Sequence, residues 1–324
     1  MKRFDIVTLE SPNRAPLRIE GFLFGEENTK GPSVAIIGAM SGDHINQLYV
    51  ASGLVEYLRT KEEEGLIVGR ILVIPAVNAY ALNMGEKNWP LDKTDLNMMF
   101  PGYAQGETTQ RIAARLFGEL KGYDYGIILE GRRDQSMCLP YVKLMKSGYE
   151  DLECTKDLGL GFIHYRPHDP VETAMLQYNW QLWETKAFSI VFGKNGAIDQ
   201  RTSDEVHTSL IRFLSKREML NIPVFEGRKS NIVDPNRITL VKASRAGILI
   251  SKVQCGTHVQ KGETLGKIIN ALSGERLEKL ISPCEGIVTC QYAHPLIFQN
   301  SIVFRIASVE LCCLIDTKKK KKLV

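Results

Sequence analysis

The run SVAIIGAM, from Ser33 to Met40, is apolar at almost every position and ends in the polar stretch Ser41-Gly42-Asp43-His44. A strand that is buried on both faces of a parallel sheet has this continuous pattern, whereas a strand with one wet face alternates. The next segment, Ile45–Arg59, has the spacing of an amphipathic helix, and Asp43 is a candidate for its N-terminal cap. The stretch therefore predicts a buried strand, a polar turn and a helix.

The same pattern recurs three times before residue 225. The further buried strands predicted are Arg70–Pro75, Tyr125–Leu129 and Ala187–Phe192, and helical spacing occurs at Thr108–Leu120 and Ser203–Leu214. Strands that alternate with helices indicate an α/β sheet covered by helices on both faces. We expect this domain to occupy residues 1–225.

The composition changes after Pro223. Residues 221–236 are rich in Pro, Asn, Gly and charge and are predicted to form a linker. From Arg237 onward, helical spacing is lost and short strand-like segments are separated by glycines at close intervals. We expect a small all-β barrel or sandwich at residues 237–310. Residues 311–324 are predicted to be a C-terminal strand and a lysine-rich tail.

Charge and hydropathy exclude two classes of partner. The net charge is +4, and the run Lys318 to Lys322 supplies more than all of it, so the body has no basic footprint for nucleic acid. No apolar stretch reaches the roughly 20 residues that a membrane span requires. The N-terminus lacks the apolar core of a signal peptide, which predicts a cytoplasmic protein. The seven cysteines contain no CxxC pair, so a thiolate zinc cluster is not expected.

Polar side chains follow each predicted parallel strand. In open α/β sheets, ligands bind beyond the carboxyl ends of the strands. We therefore expect a site at this edge of the sheet, with candidates after the first strand, after the second strand together with the polar loop at 83–102, and after the third strand. These candidates are Ser41, Asp43, His44, Asn78, Lys87, Asn97, Glu130 and Arg132.

Five segments, in this order, resemble the succinylglutamate desuccinylase/aspartoacylase family: GAMSGDH, the loop from Pro75 to Gly102 with its Asp-Leu-Asn-Met-Met-Phe-Pro-Gly end, TTQRIAARLF, IILEG and SIVFG. Members of this family are zinc hydrolases that cleave N-acyl amino acids. The resemblance implies a zinc-carboxypeptidase-like three-layer α/β/α domain. The glycine-punctuated region resembles the small lipoyl-like barrel-sandwich domain that many bacterial members carry.

The sequence departs from the family pattern at the positions of the metal-binding and catalytic residues. The resemblance implies zinc ligands at the positions of Ser41, His44 and Glu130, where the family has His, Glu and His. A serine hydroxyl is a poor zinc ligand. A swapped pair of His44 and Glu130, completed by Asp43 or water, is the metal site that the sequence still allows.

The resemblance also implies a catalytic glutamate and a substrate-binding arginine. We assign Phe192 to the position of the glutamate, the general base, and Met98 to the position of the arginine. Neither side chain can perform the family's role. Asn97 is retained, Lys87 stands near the position of another family arginine, and Arg132 is a further candidate for binding an anion.

Two functions remain open. The favoured hypothesis is a non-catalytic or repurposed member without a cofactor, which binds a small carboxylate or N-acyl amino acid-like ligand, or forms a homo-oligomer or a complex with a paralogue. The alternative is an active metal-dependent amide hydrolase that uses zinc at a reorganised site of His44 and Glu130.

Overall fold

The computed structural model describes residues 1–26, 31–132, 134 and 136–308. The chain divides into two compact units, residues 1–232 and the residues from 233 onward, and the division falls within the predicted linker at 221–236. The predicted C-terminal strand and lysine tail at 311–324 lie outside the described residues.

The first unit is built on a mixed sheet. Its strands run in the spatial order β1-β2-β4-β3-β5-β8-β6-β7. The pairs β3–β4, β3–β5, β5–β8 and β6–β7 are parallel, and the pairs β1–β2, β2–β4 and β6–β8 are antiparallel. The strands are β1 (Lys2–Leu9), β2 (Leu17–Phe24), β3 (Ser33–Ala39), β4 (Arg70–Ala76), β5 (Tyr125–Glu130), β6 (Ser136–Lys146), β7 (Phe162–Pro167) and β8 (Lys186–Gly193).

Helices connect these strands. They are α1 (Ile45–Glu63), α2 (Ala79–Met84), α3 (Thr108–Leu120), α4 (Leu152–Lys156), α5 (Leu176–Leu182) and α6 (Gln200–Lys216), with 3₁₀ turns at Leu96–Met98 and Pro170–Ala174. The N-cap of α1 is His44 rather than the predicted Asp43, and no side chain in the described part of the chain caps this end.

Two hydrophobic cores lie on opposite faces of the sheet. Val34 and Ile36 of β3 belong to the core that α1 and α6 cover, whereas Ala35 and Ile37 belong to the core that α3 and α5 cover. Because successive side chains of a strand point to opposite faces, a strand between two helical layers must be apolar throughout. This confirms the predicted three-layer α/β/α architecture and explains the continuous apolar run.

The sheet has a switch point at β3. This strand has β4 on one side and β5 on the other, and all three run parallel. The helix after β3 and the chain after β5 therefore begin at the same sheet edge, where a crevice forms. Ser41 and His44 follow β3, and Glu130 ends β5.

The second unit is all-β, as predicted. β11, β13, β14 and β16 form one sheet, and β10, β12, β15 and β17 pair with one another in a second. Both contribute to one core, for example Leu265 and Ile268 from the first and Val288 and Phe304 from the second. The strands are β9 (Asn231–Val233, at the division), β10 (Ile238–Lys242), β11 (Gly247–Ser251), β12 (His258–Val259), β13 (Thr264–Ile269), β14 (Arg276–Ile281), β15 (Gly286–Tyr292), β16 (Leu296–Ile297) and β17 (Ile302–Ala307).

Candidate functional site

A cavity of about 360 Å³ lies at the switch point of the first unit. Six of the predicted candidates line it: Ser41, His44, Lys87, Asn97, Glu130 and Arg132. The cavity also has lining residues that the sequence did not indicate, among them Tyr141 and Lys143 of β6 and Arg166 of β7.

The centre of the cavity is a buried ion pair. Lys143 Nζ donates to Glu130 Oε2 at 2.5 Å, and both side chains are nearly buried, with 12% and 10% of their surface exposed. Burial alone would raise the pKa of Glu130, but the charge and hydrogen bond of Lys143 outweigh it, and the pKa is lowered. Glu130 is therefore ionised at neutral pH and bound to a cation of its own chain.

Two further groups hold the other oxygen of Glu130. Ser189 Oγ lies 3.1 Å from Glu130 Oε1, and Asn97 Nδ2 lies 3.5 Å from the same atom. Asn97 is fixed in turn, because its Oδ1 accepts from the backbone N–H of Leu176 at 3.3 Å. Strand pairing supplies these positions, since Lys143 of β6 lies opposite Ser189 of β8.

His44 is a neutral imidazole with an unused nitrogen. Its Nε2 accepts from the backbone N–H of Gly131 at 3.3 Å, which leaves the proton on Nδ1. Burial lowers the pKa of His44 below its ordinary value, so the ring is uncharged at pH 7. Among the described residues, buried Nδ1 has no hydrogen-bond partner.

The side chain of Ser41 donates a hydrogen bond to the carboxylate of Asp43. Ser41 Oγ lies 2.6 Å from Asp43 Oδ1 and 2.9 Å from the backbone oxygen of Lys87. Asp43 Oδ2 accepts from Asn195 Nδ2 at 2.9 Å. Asp43 does not line the cavity, contrary to its proposed place among the metal ligands, because these bonds hold its carboxylate in the turn before α1.

The donor set does not fit a catalytic zinc ion. Such a site needs about three protein ligands and one open position. Among the residues that the structure describes, no group of three or more His, Cys, Asp or Glu side chains could hold a metal. Glu130 is already bound to Lys143, and the Nε2 of His44 is already an acceptor for Gly131.

The assignment of Phe192 to the general-base position was wrong. Phe192 is fully buried in the core beneath α1 and α6, whereas its neighbour Val191 lines the cavity. Side chains alternate along a strand, so a shift of one residue changes the face. Counting back from Gly193 in the family's Val-Glu-x-Gly pattern also gives Val191.

Asn78 also lies away from the cavity, contrary to its predicted role in substrate binding. It is completely buried and is the N-cap of α2, where its Oδ1 accepts from the backbone N–H of Ala81 at 3.2 Å. This is a common structural use of an asparagine that follows a strand.

Two of the arginines that line the cavity are bound to carboxylates. Arg132 makes two 2.9 Å bonds to Asp134 and a third to the hydroxyl of Tyr141. Arg166 makes bonds of 2.9 and 2.7 Å to the two oxygens of Glu172. In contrast, exposed Lys87 has no side-chain hydrogen bond or ion pair to any described residue.

The first unit is thus an α/β/α sheet with a polar cavity at its switch point. The model of the succinylglutamate desuccinylase/aspartoacylase catalytic domain matches residues 30–216. The chain therefore belongs to the succinylglutamate desuccinylase/aspartoacylase family.

A known relative and two solved structures are similar to this chain. The chain is 30% identical over 84 residues to the N-alpha-acetyl-L-2,4-diaminobutyric acid deacetylase of Halomonas elongata. These 84 residues are 26% of this chain and span 23% of the relative's length. The structure is similar to a succinylglutamate desuccinylase/aspartoacylase from Rhodobacter sphaeroides, with TM-score 0.74, 18% identity, and 94% and 95% of the two chains covered. It is also similar to the product-bound ectoine utilization protein EutE (DoeB) from Ruegeria pomeroyi, with TM-score 0.77, 18% identity, and 95% of each chain covered. No helix within the described ranges is long and apolar enough to cross a membrane.

Proposed function

We propose that this chain does not hydrolyse amides through zinc, and that its cavity instead binds a small ligand of the N-acyl amino acid type. The ion pair of Glu130 and Lys143 supports this proposal most strongly. At the position where the resemblance implies a metal-binding histidine, the chain has a carboxylate already neutralised by an ammonium group. A metal ion about 4 Å from Lys143 would be repelled by about 4 kcal/mol for each unit of its charge at an effective dielectric of 20.

The residue at the family's general-base position supports the same conclusion. Val191 cannot accept a proton, and general acid–base catalysis typically contributes 10²- to 10⁴-fold to a rate. The alternative hydrolase would use His44 and Glu130, but both already have hydrogen-bond partners. Zinc-dependent hydrolysis is therefore the result that would reject the proposal in the experiment below.

Two free groups favour an anionic ligand that also carries a carbonyl. Lys87 is the cation in the described lining whose side chain no carboxylate neutralises, and His44 Nδ1–H is a donor without an acceptor. An N-acyl amino acid has a carboxylate for the first group and an amide oxygen for the second. A volume of about 360 Å³ is within the usual range for small-molecule sites.

We also propose a cytoplasmic location, with a second copy or a paralogue as the partner. Light scattering coupled to gel filtration tests the second copy. Co-purification with an active paralogue from the native cell tests the other partner.

The central experiment combines metal analysis, calorimetry and an activity assay. Protein purified without added zinc should contain far less than one zinc per chain, bind an N-acetyl- or N-succinyl-amino acid saturably, and release no acyl group with or without zinc. Lys87→Gln should weaken binding about tenfold or more, because it removes a charge-assisted hydrogen bond.

The matched control is Lys229→Gln, an exposed lysine outside the cavity, which should bind like the wild type. Nearly one zinc per chain together with zinc-dependent hydrolysis would reject the proposal and support the His44/Glu130 hydrolase.

A further inference from the structure

A second cavity in the first unit has about 850 Å³ and shares no lining residue with the first. It lies between the turn at residues 10–16, which joins β1 to β2, and the helices α2 and α3. Nothing in the proposed function uses it.

The walls of this cavity are largely apolar. Leu9, Leu17 and Met84 contribute to them, and Tyr80 meets Trp89 edge to face with ring centroids 5.6 Å apart. Leu91 is 70% exposed at the rim. An aromatic and aliphatic wall open to water favours a ligand with an apolar body.

Among the residues that the structure describes, the charged lining is predominantly cationic, with four arginines and a single carboxylate, Glu10. Arg18 lies 3.3 Å from Asp5, and Arg115 donates to the backbone oxygen of Thr8 at 3.3 Å. The side chains of Arg14 and Arg111 have no ion pair or hydrogen bond to any residue in the described part of the chain.

The arginines of α3 are also close to each other. Arg111 and Arg115 are one helical turn apart, and like charges at this spacing repel. The backbone amides at the start of α3 do not offer a separate anion site, because Glu107 and Gln110 form a capping box there. An anion between the two guanidinium groups would relieve their repulsion.

Trp89 lies under the wall of this cavity. Its side chain is 1% exposed and lines the cavity, yet its buried Nε1–H has no acceptor among the residues described. Buried polar groups in native proteins are bonded in about nine cases of ten. This atom has almost no accessible surface, so it is not a contact for a ligand in the cavity.

From these observations we propose that the cavity binds an amphipathic organic anion. Its apolar body packs on Tyr80 and Met84, and its acidic group contacts Arg111. The ligand class is a carboxylate, sulfonate or phosphate carried on an aromatic or medium-length aliphatic body. This proposal does not depend on the function assigned to the first cavity.

The test uses two fluorescent probes with nearly the same aromatic body. 1-Anilinonaphthalene-8-sulfonate has an anionic group, and N-phenyl-1-naphthylamine lacks it. Titration of the folded protein should show one saturable site for the sulfonate, bound at least tenfold more tightly than the neutral probe. Arg111→Gln should weaken the sulfonate about tenfold or more and leave the neutral probe unchanged.

Arg201→Gln, an exposed arginine on α6, is the matched control and should bind both probes like the wild type. Lys87→Gln should bind the sulfonate like the wild type, and an excess of N-acetyl amino acid should not displace the sulfonate. These two results would separate this site from the first cavity. Decanoate and decyl phosphate as competitors distinguish carboxylate from phosphate ligands. Equal affinity for the two probes, or an Arg111→Gln variant that binds the sulfonate like the wild type, would overturn the proposal.

Discussion

Replacing Lys143 with methionine should destabilise the first unit strongly. The variant keeps an apolar stem of similar length but removes the cation that neutralises Glu130, which is only 8% exposed. Breaking a buried ion pair on one side typically costs about 3–5 kcal/mol. For a unit of this size, about 2–4 °C of melting temperature is lost per kcal/mol, so we expect a decrease of about 6–20 °C.

The loss of stability in Lys143→Met should depend on pH. In the wild type, burial raises the pKa of Glu130, but Lys143 outweighs it, so the net pKa is lowered. The pair therefore adds stability above the unfolded pKa near 4.5, and this stability is lost as the pH falls through the folded value. Without Lys143, the largest contributions that oppose burial are lost and the pKa of Glu130 rises, so protonation of Glu130 removes the unpaired charge from the variant. The gap between variant and wild type should be largest at pH 7–8 and smaller at pH 5.

Urea unfolding at both pH values provides the measurement. Glu130→Gln and the double variant Lys143→Met/Glu130→Gln complete a double-mutant cycle. The double variant should recover most of the stability, because replacing both partners leaves no unpaired buried charge. A loss below about 1 kcal/mol in Lys143→Met at pH 8, or a loss independent of pH, would refute the argument that Glu130 is a buried, paired carboxylate.

Three further predictions concern neighbouring positions. The free energy of unfolding should fall between pH 7 and pH 5.5, because a histidine in the unfolded chain accepts a proton near pH 6.5, whereas burial lowers the pKa of His44 in the folded state. His44→Gln should make this pH dependence flatter, by at most about 1.4 kcal/mol per pH unit. Gly131→Ala should lower the urea midpoint, since its new Cβ would lie 1.9 Å from Oδ1 of Asn195, whose side chain is held by hydrogen bonds to Asp43 and to the backbone of Arg132. Gly118→Ala, at an open helical position, should instead raise stability by about 0.5–1 kcal/mol. Phe192→Glu should unfold the domain more readily than Val191→Glu in thermal melts, because position 192 faces the core and position 191 faces the cavity; equal melting temperatures would contradict the strand register.

The central strands could be predicted because their environment leaves a local signal. β3, β4, β5 and β8 lie between two helical layers, and each is a continuous apolar run. β6 was missed because its burial is interrupted by partly exposed residues, and Lys143 lies in its middle. A lysine inside a strand gives no sequence indication that its charge is buried.

The site could be predicted only where its residues follow parallel strands. Ser41, His44 and Glu130 were found in this way, since the carboxyl ends of β3 and β5 meet. Lys143 reaches the cavity through the antiparallel pairing of β6 with β8, which joins segments more than 40 residues apart. Val191 was missed by a single position, because β8 is buried on both faces and shows no alternation; only the spacing to Gly193 in the family pattern distinguishes Val191 from Phe192.

The position of Lys143 also changes what would be needed to restore a zinc site. Returning the family pattern requires Ser41→His, His44→Glu and Glu130→His, but an ammonium group beside position 130 would still repel a dication. We therefore expect none of the three single variants, nor the triple variant, to hold zinc stoichiometrically. Only the triple variant with Lys143→Ala should do so, since metal ligands act as one unit and their effects are not additive. The measurement is zinc retained after gel filtration, with Lys143→Ala alone as the control. Tight zinc binding by the triple variant that keeps Lys143 would show that the lysine can move aside, and that its charge does not define this cavity.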